Sequence, residues 1–122
     1  MDYPDKTTYL ERAARGEPIT QTEASHLAAE ETDMTGFGPI QGGTAATAQS
    51  LHDKQANFIA AAGDIARKPA SEITKEDAAE LQKKETRAAG GVPPGPGSTS
   101  SYAQSIADRN EKAREEKQEH RG

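Results

Sequence analysis

There is no cysteine and no tryptophan among the 122 residues, which excludes disulfides and thiolate metal sites from the outset. Large apolar side chains are scarce. Leu, Ile, Val and Phe together number thirteen, about a tenth of the chain, where globular domains usually exceed roughly a fifth. Long hydrophobic runs are missing as well. The longest, "FIAAAG" from Phe58 to Gly63, is far too short to cross a bilayer. The first ten residues, "MDYPDKTTYL", lack a basic stretch followed by an apolar one, so no secretory signal is expected there. Twenty acids against fifteen bases leave a net charge of −5. No basic face is available to release many counterions, and nucleic acid is therefore not expected as a partner. The charge is too modest to hold the chain open by itself; the shortage of hydrophobes argues for disorder more strongly.

What fills the chain instead is alanine, 21 residues of it, with 11 glycines and a second feature that composition hides. "PITQTEASHLAAEETDMTGFGP" (18–39) repeats as "EITKEDAAELQKKETRAAGGVP" (72–93) at an offset of 54. Ile19-Thr20 matches Ile73-Thr74, Ala24 matches Ala78, Leu27 matches Leu81, and Glu31-Thr32 matches Glu85-Thr86. Past the Gly/Pro stretch the offset becomes 55. Ala48-Gln49-Ser50 then matches Ala103-Gln104-Ser105, and Asp53 matches Asp108. A single inserted loop residue accounts for the change, and loops tolerate insertion. The chain is an internal duplication.

Each unit reads as helix, Gly/Pro loop, helix. Thr20 opens a capping box with Glu23, and Thr74 does so with Asp77. Ile19 and Ile73 stand just before these caps, in the position of a hydrophobic staple. The loops "GFGPIQGG" and "GGVPPGPGS" stop the first helices. Thr44 and Thr99 (or Ser98) are the expected caps of the second ones. A short helix is expected around Lys6–Arg15. The apolar seam Ala48, Leu51, Gln55, Phe58, Ala62, Ile65 has a counterpart in Ala103, Ile106, Asn110, Ala113, Lys117, with an amide at the same point of each. Spacings alternate three and four, but the stripes are narrow. The expected architecture is mainly α or intrinsically disordered, with tandem helix–loop–helix units, weakly packed, and no sheet. Its divisions are an N-terminal segment (1–16), a first repeat (17–68), a second repeat (69–113) and a charged tail (114–122).

No catalytic constellation emerges. Gly36, Gly38 and Gly42 space as GxGxxxG without a preceding strand or a following Gly-Lys-Ser/Thr, so the loop reads as an interhelix connection rather than a phosphate cradle. His26, His52 and His120 are isolated from one another, and no metal set is expected. Glu30/Glu31 and Glu115/Glu116 read as solvated helix faces. Ser50 and Ser105 have no neighbouring base. The best candidate contact surface is the stripe Ala48, Leu51, Phe58, Ile59, Ala62 and Ile65, with Lys54, Arg67 and Lys68 placed to meet lipid phosphates and Asp53 and Asp64 diluting that basic face. Weak self-association through the Phe58 seam is a further expectation.

The pattern "PIT…EA…E", "ET…G" and "GG-T-A-A-T-A-QS…D" resembles the seed maturation protein domain of the late embryogenesis abundant proteins, which occurs in tandem copies. The resemblance runs over residues 17–113, and the repeated Ala48-Gln49-Ser50…Asp53 and Ala103-Gln104-Ser105…Asp108 carry its specificity. Thr99-Ser100-Ser101 departs from the usual alanines, and a weaker last helix is expected for it. The resemblance implies protection of cell contents during water loss, with no enzymatic activity and no cofactor. The Ala/Leu stripes of the helices are expected to meet nonspecific client proteins and membrane surfaces, and the expected compartment is the cytoplasm, with the nucleus as an alternative. The alternative expectation is a constitutively folded helical module that binds one specific protein.

Overall fold

The computed structural model describes residues 3–119, and within them the chain is helical, with no strand. Five α-helices follow one another: α1 (Lys6–Ala14), α2 (Gln21–Thr35), α3 (Thr44–Arg67), α4 (Lys75–Ala88) and α5 (Thr99–Glu119), with a single 3₁₀ turn at Ala70–Glu72 before α4. Asp5 caps α1 through its side chain. Both capping boxes form as expected. The Thr20 hydroxyl accepts from the Glu23 amide while the Glu23 carboxylate accepts from the Thr20 amide, and Thr74 and Asp77 repeat the exchange. Gly36 ends α2 in the left-handed region (φ 77°), a conformation a Cβ would strain. Helix α3 stops at Pro69, whose ring disfavours a helical residue before it.

The longest helix, α3, is the spine: α1, α2 and α4 all pack on it, and α5 packs on α4 and the 3₁₀ turn. Its two halves serve different cores. The N-terminal half gives Ala45, Ala48 and Leu51 to a cluster with Tyr9, Ala13, Ile19, Ala24 and Leu27. The C-terminal half lays Phe58, Ala61, Ala62 and Ile65 against Ile73, Ala78, Leu81, Ala103 and Ala107.

The expectation of disorder or weak packing is not confirmed: these helices are packed. The physical reason lies in alanine. Counting large side chains treats alanine as filler, yet eight of the fourteen buried hydrophobic residues are alanines. A methyl group lets two helix backbones approach closely, so that one Leu or Ile per layer fills the remaining gap. Ala48 is wholly buried and Ala103 nearly so, which explains why the repeated Ala-Gln-Ser starts on this residue. Replacing Ala48 with Leu should therefore destabilise the chain by ~1–3 kcal/mol through overpacking. A lowered urea midpoint, followed by far-UV circular dichroism, is the expected result, whereas A46L on the exposed side of the same helix leaves the midpoint unchanged.

Candidate functional site

A helix begins with N–H groups that have no partner inside it. At the start of α3 the preceding residue is Gly43, which has no side chain to offer them. The acceptor comes from the neighbouring helix. Glu31, near the C-terminal end of α2, turns inward and takes the Ala45 amide on Oε2 and the Ile40 amide on Oε1, both at 2.8 Å. One carboxylate thus fixes both the loop and the first turn of the next helix. The second unit repeats the device: Glu85 of α4 takes the Ser100 amide on Oε1 at 2.9 Å. Ala45 and Ser100 are equivalent residues of the duplication, as are Glu31 and Glu85.

The first copy carries an additional strap. Tyr3 reaches over the α2–α3 joint, and its hydroxyl donates to Glu31 Oε2. The carbonyl of Pro4 accepts from the Thr44 hydroxyl at 2.9 Å. Glu31 is left with no solvent exposure. Burial alone raises a carboxyl pKa; here the Tyr3, Ala45 and Ile40 donors outweigh it and hold Glu31 below its ordinary value. Burial and the facing Glu31 carboxylate push the Tyr3 phenol well up.

Two other joints are duplicated. The acid of each capping box meets a cation from the preceding helix: Arg12 of α1 grips Glu23 with two nitrogens, at 2.9 and 3.3 Å, and Lys68 reaches Asp77 at 2.6 Å. These contacts hold Glu23 and Asp77 below the usual carboxylate range, chiefly through the Arg12 and Lys68 hydrogen bonds. The amides found at one point of both seams reach back to the linker before each first helix. Gln55 accepts from the Ile19 amide at 2.8 Å and donates to the Glu17 carbonyl at 2.9 Å. Asn110 donates to the Ala70 and Ile73 carbonyls at 2.7 and 2.9 Å. Polar residues in an apolar seam here act as clamps on backbone that has no helix of its own.

The stripe and the repeat motif are placed as follows. Ala48 and Leu51 lie inside the first core; Phe58, Ala62 and Ile65 are half-buried against the second; Ile59 alone points outward. Gln49 and Gln104 each donate to the aspartate one turn on, Asp53 and Asp108, at 3.0 Å. Gln49 also exchanges hydrogen bonds with Gln21 of α2, and Lys75 at the equivalent point of α4 pairs with Glu111 and lies 4.0 Å from Asp108. Ser50 is half-buried and Ser105 exposed. Of the basic residues, Arg67 pairs with Asp64 and Lys68 with Asp77, while Lys54 is exposed.

Two expectations are corrected. Glu31 is not part of a solvated face, although Glu30 beside it is exposed; the inward turn of Glu31 is driven by amides that Gly43 leaves without a cap. Its match with Glu85 in the duplication was the signal that marked it. Thr44 does not cap α3 but stands inside its first turn and binds the strap; for α5 the Ser98 hydroxyl accepts from the Ser101 amide. His52 places its Nδ1 2.8 Å from the Ile19 carbonyl. His120 falls outside the described residues. Among the described residues no group of His, Asp and Glu is arranged to hold a metal ion.

The outer surface carries large apolar groups that the cores do not use. Met34, Phe37 and Ile40 lie exposed along the stretch where α2 passes into its loop, with Phe37 98% exposed. Ile59, Val92 and Tyr102 are exposed elsewhere. Phe58, Ile59 and the Val92–Pro94 stretch also line an open groove of about 420 Å³ between the two units, closed on one side by Ala13 and Ala14. No helix among the described residues is long and apolar enough to cross a membrane.

Residues 55–113 match the family described as seed maturation protein, while no curated protein and no solved structure matches the chain. The matched range opens at the clamp residue Gln55 within α3 and runs through α4 and most of α5; the first unit up to Lys54 lies outside it.

The lowered pKa of Glu31 has a defined consequence for stability. Its ionised form is favoured by the fold, so the stabilisation is complete at neutral pH and is lost as pH falls through the folded value, below the ordinary glutamate range. Glu31→Gln should lower stability at pH 7 by ~1.5–3 kcal/mol and flatten its decline over the acid range. Urea titrations of both proteins across that range are the check.

Proposed function

We propose that this chain, whose residues 55–113 match the seed maturation protein family, is a late-embryogenesis-abundant-type protective protein whose helices consolidate as water is withdrawn. The family match is the observation that carries the reading. The family is generally non-enzymatic, and no enzymatic role is assigned here. The alternative of a constitutively folded module for one specific partner is not favoured by that match.

The joints supply the mechanism. Glu31, Glu85, Gln55 and Asn110 all bind backbone amides or carbonyls for which water is the competing partner. A hydrogen bond contributes little net stability while water can replace it, and much more when water is absent. The alanine cores bury little apolar area per residue, so the hydrophobic contribution that does not depend on those bonds is small. Drying therefore strengthens the interactions that organise this fold.

The exposed Met34, Phe37 and Ile40, flanked by the acidic Glu30 and Asp33, provide an apolar contact within a charged, soluble surface. In this reading they rest on apolar patches of client proteins or on membrane surfaces as water leaves, and the charged faces keep clients apart. Weak self-association through the Phe58 seam is part of the same proposal. The cytoplasm and the nucleus are the compartments proposed.

A labile enzyme dried with the chain should keep more activity on rehydration than when dried with an equal mass of serum albumin. Replacing Met34, Phe37 and Ile40 together with Ser should reduce that protection while leaving the helix content on drying unchanged. Protection no better than albumin's contradicts the reading; equal protection by the triple variant removes these apolar residues from it. Dye leakage from dried and rehydrated vesicles separates membrane contact from protein contact.

A further inference from the structure

The two copies of the carboxylate joint are built from equivalent residues but are not equally closed. At the first, Glu31 is fully buried and receives three donors: the Ile40 and Ala45 amides and the Tyr3 hydroxyl. At the second, Glu85 is half-exposed and receives the Ser100 amide. Among the described residues no strap lies over it. The other joints differ in the same direction. Arg12 binds Glu23 through two nitrogens, donates also to the Pro18 carbonyl and stands 5.4 Å above the Tyr9 ring, whereas Lys68 makes a single contact with Asp77. The first core buries Tyr9, Ile19, Leu27 and Leu51; the second buries Ile73 and Leu81 and leaves Phe58, Ile65 and Ile106 half-covered.

From this asymmetry we propose that the segment Tyr3–Asp5 is a latch that sets the order in which the duplicated units open. The second unit, α4 and α5 on the C-terminal half of α3, opens first. The first unit stays closed until the Tyr3 hydroxyl leaves Glu31. The latch acts by geometry. It excludes water from the one carboxylate that fixes the start of α3, and it ties the chain before α1 to that start through the Pro4 carbonyl and the Thr44 hydroxyl. Because α3 is common to both cores, opening of the second unit frees Phe58, Ala61, Ala62 and Ile65 while the N-terminal half of the same helix remains held. The chain thereby has a partly open state with a defined apolar stripe exposed and a defined half still folded. This inference concerns the order of opening and does not depend on the protective role proposed above.

The test is backbone amide hydrogen exchange on the full chain in dilute buffer, read at the equivalent amides of Ala45 and Ser100. The latch predicts slower exchange at Ala45 than at Ser100. Tyr3→Phe, which keeps the ring and removes the hydroxyl, should speed exchange at Ala45 by roughly ten- to a hundredfold and leave Ser100 unchanged. Glu85→Gln should do the reverse, speeding Ser100 alone. Equal exchange at the two amides in the intact chain overturns the proposal, as does an equal effect of Tyr3→Phe on both. Exchange of both at the rate of an unstructured peptide also overturns it, and in that outcome folding on water loss still stands.

Discussion

A carboxylate on one helix that accepts the first amides of the next is the interaction on which this fold depends. Helix starts are normally capped from within their own chain segment by Ser, Thr, Asp or Asn. Here Gly43 precedes α3 and cannot cap it, so the requirement is met across the helix pair by Glu31, and Glu85 meets the Ser100 amide in the same way. The consequence is architectural. A cap taken from the neighbouring helix fixes where the next helix starts against it, whatever the length of the loop between. The Gly/Pro loops are then free to vary, and they do: one has an extra residue, and the sequences GFGPIQGG and GGVPPGPGS share little beyond their glycines and prolines.

With the helices positioned by polar joints, the cores need only fill what remains, and alanine suffices. Close backbone approach supplies dispersion contacts over the length of each pair without large side chains. The helix α3 links the two cores, its Ala45, Ala48 and Leu51 turned to one and its Phe58, Ala61, Ala62 and Ile65 to the other. The preceding helix in each half does an equivalent task. Helix α1 presents Tyr9, Ala13 and Arg12 to the first unit, as the second half of α3 presents Phe58 and Ile65, with Lys68 just past its end, to the second. The family match over residues 55–113 embraces this second set of three helical segments, which gives the matched range a structural meaning as one packed unit.

Much of the helical outline was legible in the sequence because it rests on local signals. The capping boxes at Thr20 and Thr74 and Pro69 act within a few residues of themselves, and the duplication reports them twice. The joints were harder to see because they act over longer separations: Glu31 to Ala45 spans fourteen residues and Gln55 to Ile19 thirty-six. Charge next to charge at Glu30-Glu31 reads as a wet surface, and nothing local distinguishes the residue that turns inward. Only register does, since Glu31 recurs as Glu85 while Glu30 gives way to Lys84, and the amide of Gln55 recurs in Asn110. The strap was not legible at all, for Tyr3 has no counterpart in the second unit and its partner Glu31 lies twenty-eight residues away. Alanine-rich cores misled in the opposite sense, because residue size is a poor guide when backbone proximity supplies the packing.

In the proposed function, joints that compete with water make the helix content of this chain a function of water activity. The most direct measurement is far-UV circular dichroism of the full chain and of the Glu31→Gln/Glu85→Gln double variant, in dilute buffer and at steps of drying to a film. The account predicts that the intact chain gains helix as water is withdrawn and that the double variant has less helix than the intact chain at every step before the fully dried film. Superimposable curves for the two proteins, or an intact chain whose helix content is the same in buffer and in the film, would contradict it.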